Sequence, residues 1–244
     1  MSYIEDLASA GMATGVIGGD QTLTALKSVI HLPPNSRTLD VGCNGGYLSI
    51  RLADAFAGDV VGVDQSQAFV DLAKKTGQGT TVAGKLSFVV GNILDAGLDL
   101  GNFDLVVHRG LEAFTKNREE LQKAMVSRLK NWGYLVNITH TYESKPDAAI
   151  ISELNKTAGL FIKPMSRRDL VAEYQAIGLR LIHQEEVPLE PNAQPRFREG
   201  IPNDVVERLR KVFDVARKND AQTRASLLVF RRPLNVFGED VAKG

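Results

Sequence analysis

An acidic side chain followed by a glycine-rich turn is the arrangement in this chain best suited to bind a ligand. Asp40 lies in a short apolar run, the turn Gly42-Cys43-Asn44-Gly45-Gly46 follows it, and residues 48–53 then have helical character. A strand, a tight turn and a helix N-terminus leave unpaired backbone N–H groups and the positive end of a helix dipole facing whatever docks there. The stretch therefore predicts a ligand-binding turn, with the ligand left open.

The composition of the 244-residue chain favours one main domain without strong surface charge. Lys plus Arg and Asp plus Glu each number 29, so no global field draws the protein to nucleic acid or to an anionic membrane. Cys43 is the single cysteine and cannot form an internal disulfide. We find no signal-type N-terminus and no apolar run near the roughly 18 residues of a membrane helix. The sequence predicts a soluble, cytoplasmic monomer or homodimer with no metal site.

Strands and helices alternate after the turn. Apolar strands are predicted at residues 59–64, 86–90, 103–108 and 134–139, a helix at 67–75, and another helix with an apolar face from Leu121 to Leu129 that ends at Gly133. Strands that are apolar throughout and alternate with amphipathic helices indicate a parallel sheet covered on both faces.

The C-terminal part of the chain departs from this alternation of strands and helices. Ser166 and Asp169 resemble a capping box, which predicts a helix closed by Gly178 and then a strand to Val187. Residues 188–224 contain four prolines and one amphipathic helix, and the last strand is predicted at 226–230. Because no ordinary crossover helix joins these two strands, the last one is expected to be antiparallel.

The N-terminal residues 1–36 are expected to form a helical lid or arm. Gly11, Gly15, Gly18 and Gly19 resist a single conformation, so both a mobile lid and a loosely packed arm stay open. Asp20 is predicted to cap a helix that Pro33-Pro34 ends. The predicted fold is α/β: a doubly wound, seven-stranded, mostly parallel sheet with helices on both faces. A small cap is expected from the N-terminus and from residues 188–224. The second of these segments is an insertion in a domain that spans residues 37–244.

Five segments together resemble class I S-adenosylmethionine (SAM) dependent methyltransferases. Residues 39–46 resemble the family's first motif, Val63-Asp64 its ribose-binding acid, Gly91-Asn92-Ile93 its adenine motif, 103–107 its fourth strand, and 129–135 the segment that leads into its fifth strand. The resemblance implies SAM as cofactor and S-adenosylhomocysteine (SAH) as product. It also implies the cofactor-binding residues, which are Asp40, Gly42, Cys43, Asn44, Gly46, Asp64, Gln65, Asn92, Ile93 and His108.

Three positions depart from the family pattern. Asn44 replaces the middle glycine, Asn92 replaces an acid, and Asn131-Trp132-Gly133 replaces Pro-Gly-Gly. Asn accepts positive φ better than other non-glycine residues, and its amide can still bond an adenine edge. We therefore expect the site to be retained.

A dinucleotide site is the first alternative. Counted from Gly42, the G-x-G-x-x-G pattern reads Gly42, Asn44 and Tyr47, so two of its three glycines are missing. Asp40 would be badly placed near a pyrophosphate but suits an ammonium reached through ordered water, and Asp64 lies at a distance from Gly46 typical of a ribose-binding acid. The residues favour SAM over an NAD(P)-dependent oxidoreductase or a Rossmann-like domain that binds nothing.

Given SAM, His108 and His140 are the candidate bases because each ends a predicted strand at the ligand-binding edge. A structural role is the competing interpretation of both histidines. Further acceptor contacts are predicted at Arg109, Glu112, Phe114 and Tyr142. A capped pocket favours N- or O-methylation of a small-molecule metabolite. RNA and protein acceptors stay as alternatives, although the basic residues near Arg208 are interleaved with acids.

Overall fold

The computed structural model describes residues 3–10, 19–188 and 200–234. Its helices are α1 (Tyr3–Ser9), α2 (Gly19–Val29), α3 (Tyr47–Phe56), α4 (Gln67–Gln78), α5 (Arg118–Ser127), α6 (Ala148–Ala158), α7 (Arg167–Ala176) and α8 (Asn203–Asp220). Its strands are β1 (Arg37–Val41), β2 (Asp59–Asp64), β3 (Leu86–Val90), β4 (Phe103–Arg109), β5 (Leu129–Thr141), β6 (Arg180–Val187) and β7 (Arg224–Arg231).

The seven strands form one sheet in the order β3-β2-β1-β4-β5-β7-β6. Strands β1 to β5 pair in parallel, whereas β7 is antiparallel to both β5 and β6. The predicted α/β fold with an antiparallel last strand is thus confirmed. The chain leaves β1 on one side to form β2 and returns on the other side to form β4, so the carboxyl end of β1 is the switch point where open α/β sheets bind ligands.

Two apolar layers cover the sheet, and strand alternation decides which layer each site residue joins. Leu105 and Val107 of β4 pack on one face with α2 and α3, whereas Val106 packs on the other face with α5 and α7. Successive strand side chains point to opposite faces. Asp40 therefore meets α3, where it bonds Ser49, and His108 meets α7, where it contacts Tyr174.

The predicted helix from Leu121 to Gly133 is too long. Helix α5 ends at Ser127, and Leu129 already pairs with Phe103 as the first residue of β5. Backbone hydrogen bonds from Trp132 N–H to Arg232 O and from Arg232 N–H to Gly133 O hold this part of the chain against the segment after β7. Pairing across the sheet thus overrides the local helical pattern.

Two smaller predictions also change. Asp20 lies in the first turn of α2 instead of capping the helix from outside. Helix α6, between β5 and the predicted capping box, was not predicted at all; Asp147 caps its start by accepting from Ala149 N–H, and Gly159 closes it at φ 66°.

The N-terminal helix and α8 are joined into a small cap. Arg208 of α8 donates from Nε and Nη2 to the two carboxylate oxygens of the buried Asp6 of α1, each at 2.8 Å. Helix α1 also packs against α4, and α6 packs against α8. Of the predicted lid, Gly11, Gly15 and Gly18 lie outside the described residues, as do residues 189–199 of the predicted cap. The predicted division into residues 1–36 and a domain of 37–244, with a cap insertion at 188–224, stays a prediction.

Candidate functional site

The glycine-rich turn after β1 has three residues in the left-handed region. Gly42, Asn44 and Gly46 have φ of 71°, 52° and 80°. Asn44 thus adopts the positive φ that was expected of it, and its side-chain oxygen accepts from Gly45 N–H. A Cβ on Gly42 would lie 2.6 Å from Leu111 Cδ2, so a larger residue would strain the backbone and clash.

Asp64 holds this turn from the end of β2. Its Oδ2 accepts from Asn44 N–H and its Oδ1 from Ser66 N–H, both at 2.9 Å. Burial raises the pKa of Asp64, and the backbone bonds from Ser66 and Asn44 oppose that rise. Each carboxylate oxygen keeps a free lone pair. The group is therefore fixed in place and still able to accept from two hydroxyls, as the predicted ribose contact requires.

Asp40 lies fully buried beneath the turn with one oxygen uncommitted. Its Oδ2 accepts from Ser49 Oγ at 2.7 Å, whereas Oδ1 finds no hydrogen-bond partner among the residues the structure describes. Burial raises the pKa of Asp40, and the charge of Arg109 and the Ser49 bond oppose the rise. A buried carboxylate oxygen without a donor is costly. It fits a site that receives a cationic donor group, directly or through water.

The remaining predicted cofactor-binding residues differ in burial and in which polar groups are left for a ligand. Cys43 is fully buried and its thiol pKa is raised by burial, which makes it a packing residue. Gln65 is exposed at the end of β2, and Ile93 is buried beyond β3. Asn92 Oδ1 accepts from Leu94 N–H, which leaves its amide N–H groups for a ligand. The structure thus gathers these residues along the carboxyl ends of β1, β2 and β3, and their cofactor contacts stay predictions.

His108 belongs to a buried hydrogen-bonded network on the opposite face of the sheet. Tyr174 donates its hydroxyl proton to Glu112 Oε1 at 2.7 Å, and Asn137 Nδ2 donates to the same oxygen at 2.7 Å. His108 Nε2 lies 2.9 Å from the Tyr174 hydroxyl and must donate to it, because the hydroxyl proton is already used. Burial lowers the pKa of His108, so the ring is neutral.

This network leaves His108 no exposed surface, and its Nδ1 faces Glu112 Oε2 at 3.8 Å. Glu112, predicted as an acceptor contact, is also buried, whereas Phe114 in the same turn is exposed. Glu112 ties the turn Leu111–Phe114 to the sheet and so holds Leu111 against Gly42. The predicted roles of His108 and Glu112 in binding or proton transfer stay predictions.

Arg109 lies on the face of the sheet that carries Asp40. Its charge opposes the burial-driven rise in the pKa of Asp40, Cys43 and Asp64, and so acts on three residues at the ends of β1 and β2. From the sequence, Arg109 was predicted to contact the acceptor. Its electrostatic effect on Asp40, Cys43 and Asp64 was not predicted. It arises because strand alternation turns Arg109 and His108 to opposite faces of the sheet.

His140 and Tyr142 at the end of β5 face the cap. His140 Nδ1 lies 3.1 Å from Thr223 Oγ1 and 3.8 Å from Asp220, and Tyr142 donates its hydroxyl proton to Asn219 of α8 at 2.9 Å. Burial lowers the pKa of His140, against the charge of Asp220. His140 is therefore a neutral, partly exposed imidazole; its role as a base stays a prediction.

Residues 160–166 form a strap across the carboxyl edge of the sheet. Phe161 N–H donates to Ala113 O at 2.7 Å in the turn after β4, and Tyr142 N–H donates to Met165 O at 2.9 Å after β5. The strap was not predicted, because its residues contain no motif and have no periodicity. It joins the two loops that flank the predicted acceptor position.

The comparisons with known proteins agree with this geometry. Residues 38–133 match the family described as "Methyltransferase domain". No curated protein sequence matches the chain. Among solved structures, the MccD protein has a TM-score of 0.73 at 16% identity, covering 90% of this chain and 100% of its own.

Two further structures are informative. A SAM-dependent methyltransferase from Geobacter sulfurreducens in complex with SAH has a TM-score of 0.70 at 14% identity, covering 94% of this chain and 98% of its own. The [4+2]-cyclase SpnF has a TM-score of 0.69 at 18% identity, covering 88% and 82%. At such identities the likeness shows the fold alone. With the domain match, the predicted resemblance to SAM-dependent methyltransferases is confirmed, and one solved structure of this fold holds SAH.

Proposed function

We propose that this chain, which carries a SAM-dependent methyltransferase domain, transfers the methyl group of SAM to nitrogen or oxygen of a small-molecule metabolite. The observation that carries the proposal is the pair of acids around the glycine-rich turn, the half-buried Asp64 and the fully buried Asp40. Asp64 is held by two backbone N–H bonds, and Asp40 has one uncommitted oxygen within the described chain. Two hydroxyls and one cationic amine match these acceptors.

When bound, SAM supplies a methyl group already activated by its sulfonium; the carbon–sulfur bond breaks, sulfur keeps the electron pair, a bond to the acceptor forms and the acceptor loses a proton. The protein's own part is to hold donor and acceptor in line and exclude water, which can supply about 7–11 kcal/mol of the barrier. Neutral His108 and His140 are both in the state that accepts a proton. We keep both as proposed bases.

A small-molecule acceptor is supported by the cap. Helix α1 contacts both α4 and α8, and His140 and Tyr142 contact the end of α8, so the cap lies beside the ends of β2 and β5. Arg208, the centre of the predicted basic patch, is bonded to Asp6 and Asp204. Its charge is thus offset, which does not favour an RNA acceptor. A cytoplasmic location and a monomeric or homodimeric state belong to the same proposal. No helix within the described ranges is long and apolar enough to span a membrane.

The donor half of the proposal is tested by calorimetry with SAH and NADH. We expect SAH to bind and NADH not to bind. Asp64→Ala should weaken SAH binding about ten- to a hundredfold, because hydrogen bonds to a charged acceptor contribute about 1.5–3 kcal/mol. Asp59→Ala, at the exposed opposite end of β2, serves as the matched control. Unchanged SAH affinity in Asp64→Ala would refute the assigned donor site.

The methyl-transfer half needs its own measurement, because the same fold also hosts a cyclase and a fold does not determine a reaction. SAH formation from SAM should depend on an added small amine, phenol or carboxylate. A protein that binds SAH but forms none with any acceptor class would count against methyl transfer.

A further inference from the structure

An open groove of about 740 Å³ lies beside the end of β5. It runs between α6 and the strap, and its apolar wall includes Ile151 of α6 with Pro164 and Met165 of the strap. The volume is within the roughly 300–1,000 Å³ of pockets that hold small molecules. None of these three residues belongs to a motif that the sequence analysis recognised.

The walls of the groove are fixed by hydrogen bonds. Asn155 of α6 donates from Nδ2 to Ile162 O at 3.2 Å and accepts at Oδ1 from Ile162 N–H at 2.8 Å. This pair locks the strap to α6, and the bond from Tyr142 N–H to Met165 O locks it to β5. Tyr142, which also lines the groove, has its hydroxyl proton committed to Asn219. The groove is therefore a preformed surface.

The groove is connected physically to the donor site. The strap bonds Ala113 through Phe161, and the turn that contains Ala113 also holds Leu111 against Gly42. The turn Leu111–Phe114 and the strap thus link the glycine-rich turn to the apolar wall. Since ligands of open α/β sheets bind outside the carboxyl ends of the strands, the groove lies on the edge where an acceptor must approach.

The groove lining carries one acid and one base, and only the acid has an ion-pair partner among the described residues. Lys145 lines it and is exposed, and its ammonium forms no ion pair with any residue in the described ranges. The nearby acid Glu143 lies 3.8 Å from the guanidinium of Arg167, which lies equally close to Glu186, so the charge of Glu143 is offset in part. An unpaired ammonium beside apolar surface favours a ligand with an anionic group and an apolar body.

We propose that this groove binds the methyl acceptor, and that the acceptor is an amphipathic small molecule whose apolar body lies along Ile151, Pro164 and Met165 while a carboxylate or phosphate lies near Lys145. The inference rests on the proposed function, because only a methyltransferase has an acceptor to place here. It adds the chemical class of that acceptor.

The test uses the full chain and the fluorescent apolar anion 8-anilinonaphthalene-1-sulfonate (ANS). We expect ANS to bind, and octanoate and octyl phosphate to displace it at least about fivefold better than octylamine, as a rim charge contributes up to about 1 kcal/mol. Displacement by octylamine as strong as by octanoate would overturn the anionic part of the proposal.

Two variants locate the binding. Ser152→Trp, at an exposed position of α6 that lines the groove, should fill it and weaken ANS binding by about tenfold or more. Lys145→Glu should remove the preference for anions. Lys156→Glu, exposed on the same helix and outside the groove lining, is the control. If neither Ser152→Trp nor Lys145→Glu changed the ANS affinity, the dye would bind elsewhere, and the proposal that this groove binds an amphipathic ligand would be overturned.

Calorimetry with SAH on the same proteins separates the two proposals. All variants should bind SAH within about twofold of the wild type, since none of the changed residues contacts the donor turn. Loss of SAH binding in Ser152→Trp would show that the groove belongs to the donor site, against our inference. A wild-type protein that does not bind SAH overturns the proposed function, while the ligand preference of the groove is still decided by the dye.

Discussion

Asp40 combines a structural cost with a proposed binding role. The side chain is fully buried and burial raises its pKa, although Ser49 donates to one oxygen and Arg109 adds a favourable charge. A carboxylate that loses water without gaining full pairing destabilises the folded chain. Strain of this kind at a ligand-binding turn indicates that the missing interaction comes from a ligand.

We therefore predict opposite effects of Asp40→Asn on stability and on binding. The free energy of unfolding of the ligand-free protein should rise by about 1–2 kcal/mol at neutral pH, since the uncompensated charge is removed. SAH affinity should fall about tenfold or more because a charge-assisted hydrogen bond is lost. Chemical denaturation and calorimetry measure the two quantities.

The pH dependence has a defined sign. The folded-state pKa of Asp40 is raised, so the wild type loses stability as pH rises from the unfolded value of about 3.9 through the folded pKa. The stability gap between variant and wild type should be absent well below about pH 3.9 and should widen as the pH rises through the folded-state pKa of Asp40. Asp54→Asn, an exposed acid on α3, is the control. A variant less stable than the wild type at every pH would contradict this account.

The hydrogen-bond partners of His108 could not be predicted from the sequence. Its position at the end of β4 was predicted, and so was its nearness to the ligand-binding edge. Its network with Tyr174 was not, because the partner lies 66 residues away on α7. The φ of Asn44, by contrast, follows from a local property of the Asn side chain and was predicted correctly.

Among the secondary-structure elements, those with a strong local pattern were predicted best. Strands β2 and β3 have the predicted bounds, β6 ends at the predicted Val187, and β7 begins two residues before and ends one residue after its predicted bounds. The prediction failed at β5, where pairing with Phe103 extends the strand back to Leu129, and at α6, whose residues follow no recognised motif. Missing α6 also meant missing the groove, since the helix forms one of its walls.

The pairing of Asp6 with Arg208 makes the short α1 part of the cap. Arg208→Ala would leave the buried Asp6 carboxylate unpaired, which destabilises the packing of α1. Because α1 has only seven residues, we expect it to open locally. Hydrogen exchange of residues 3–10 should become about ten- to a hundredfold faster.

A double variant tests the cause of that opening. Asp6→Asn combined with Arg208→Ala should recover part of the protection, because no buried charge is left. Lys218→Ala, exposed on α8, should leave exchange unchanged. Equal exchange in the wild type and Arg208→Ala would mean that apolar contacts of α1 with α4 and α8 hold the helix without the ion pair.

For the whole molecule, one sheet supports both the donor turn and the cap. Strands β1 and β2 bear the turn and Asp64. At the end of β5, Tyr142 donates to Asn219 of α8 and His140 bonds Thr223 just after that helix. A ligand that binds only the folded state should therefore stabilise the entire chain as one cooperative unit.

We predict a single thermal transition in the wild type, at a temperature that rises with the logarithm of SAH concentration. At a hundredfold excess over Kd the stabilisation is about 2.7 kcal/mol. In a chain of this size, that corresponds to about 5–10 °C. NADH at the same concentration should produce no shift, and Asp64→Ala should lose most of the SAH shift. Two transitions, with only one shifted by SAH, would mean that cap and donor site unfold separately, since the hydrogen bonds from β5 to α8 would then be too weak to couple them.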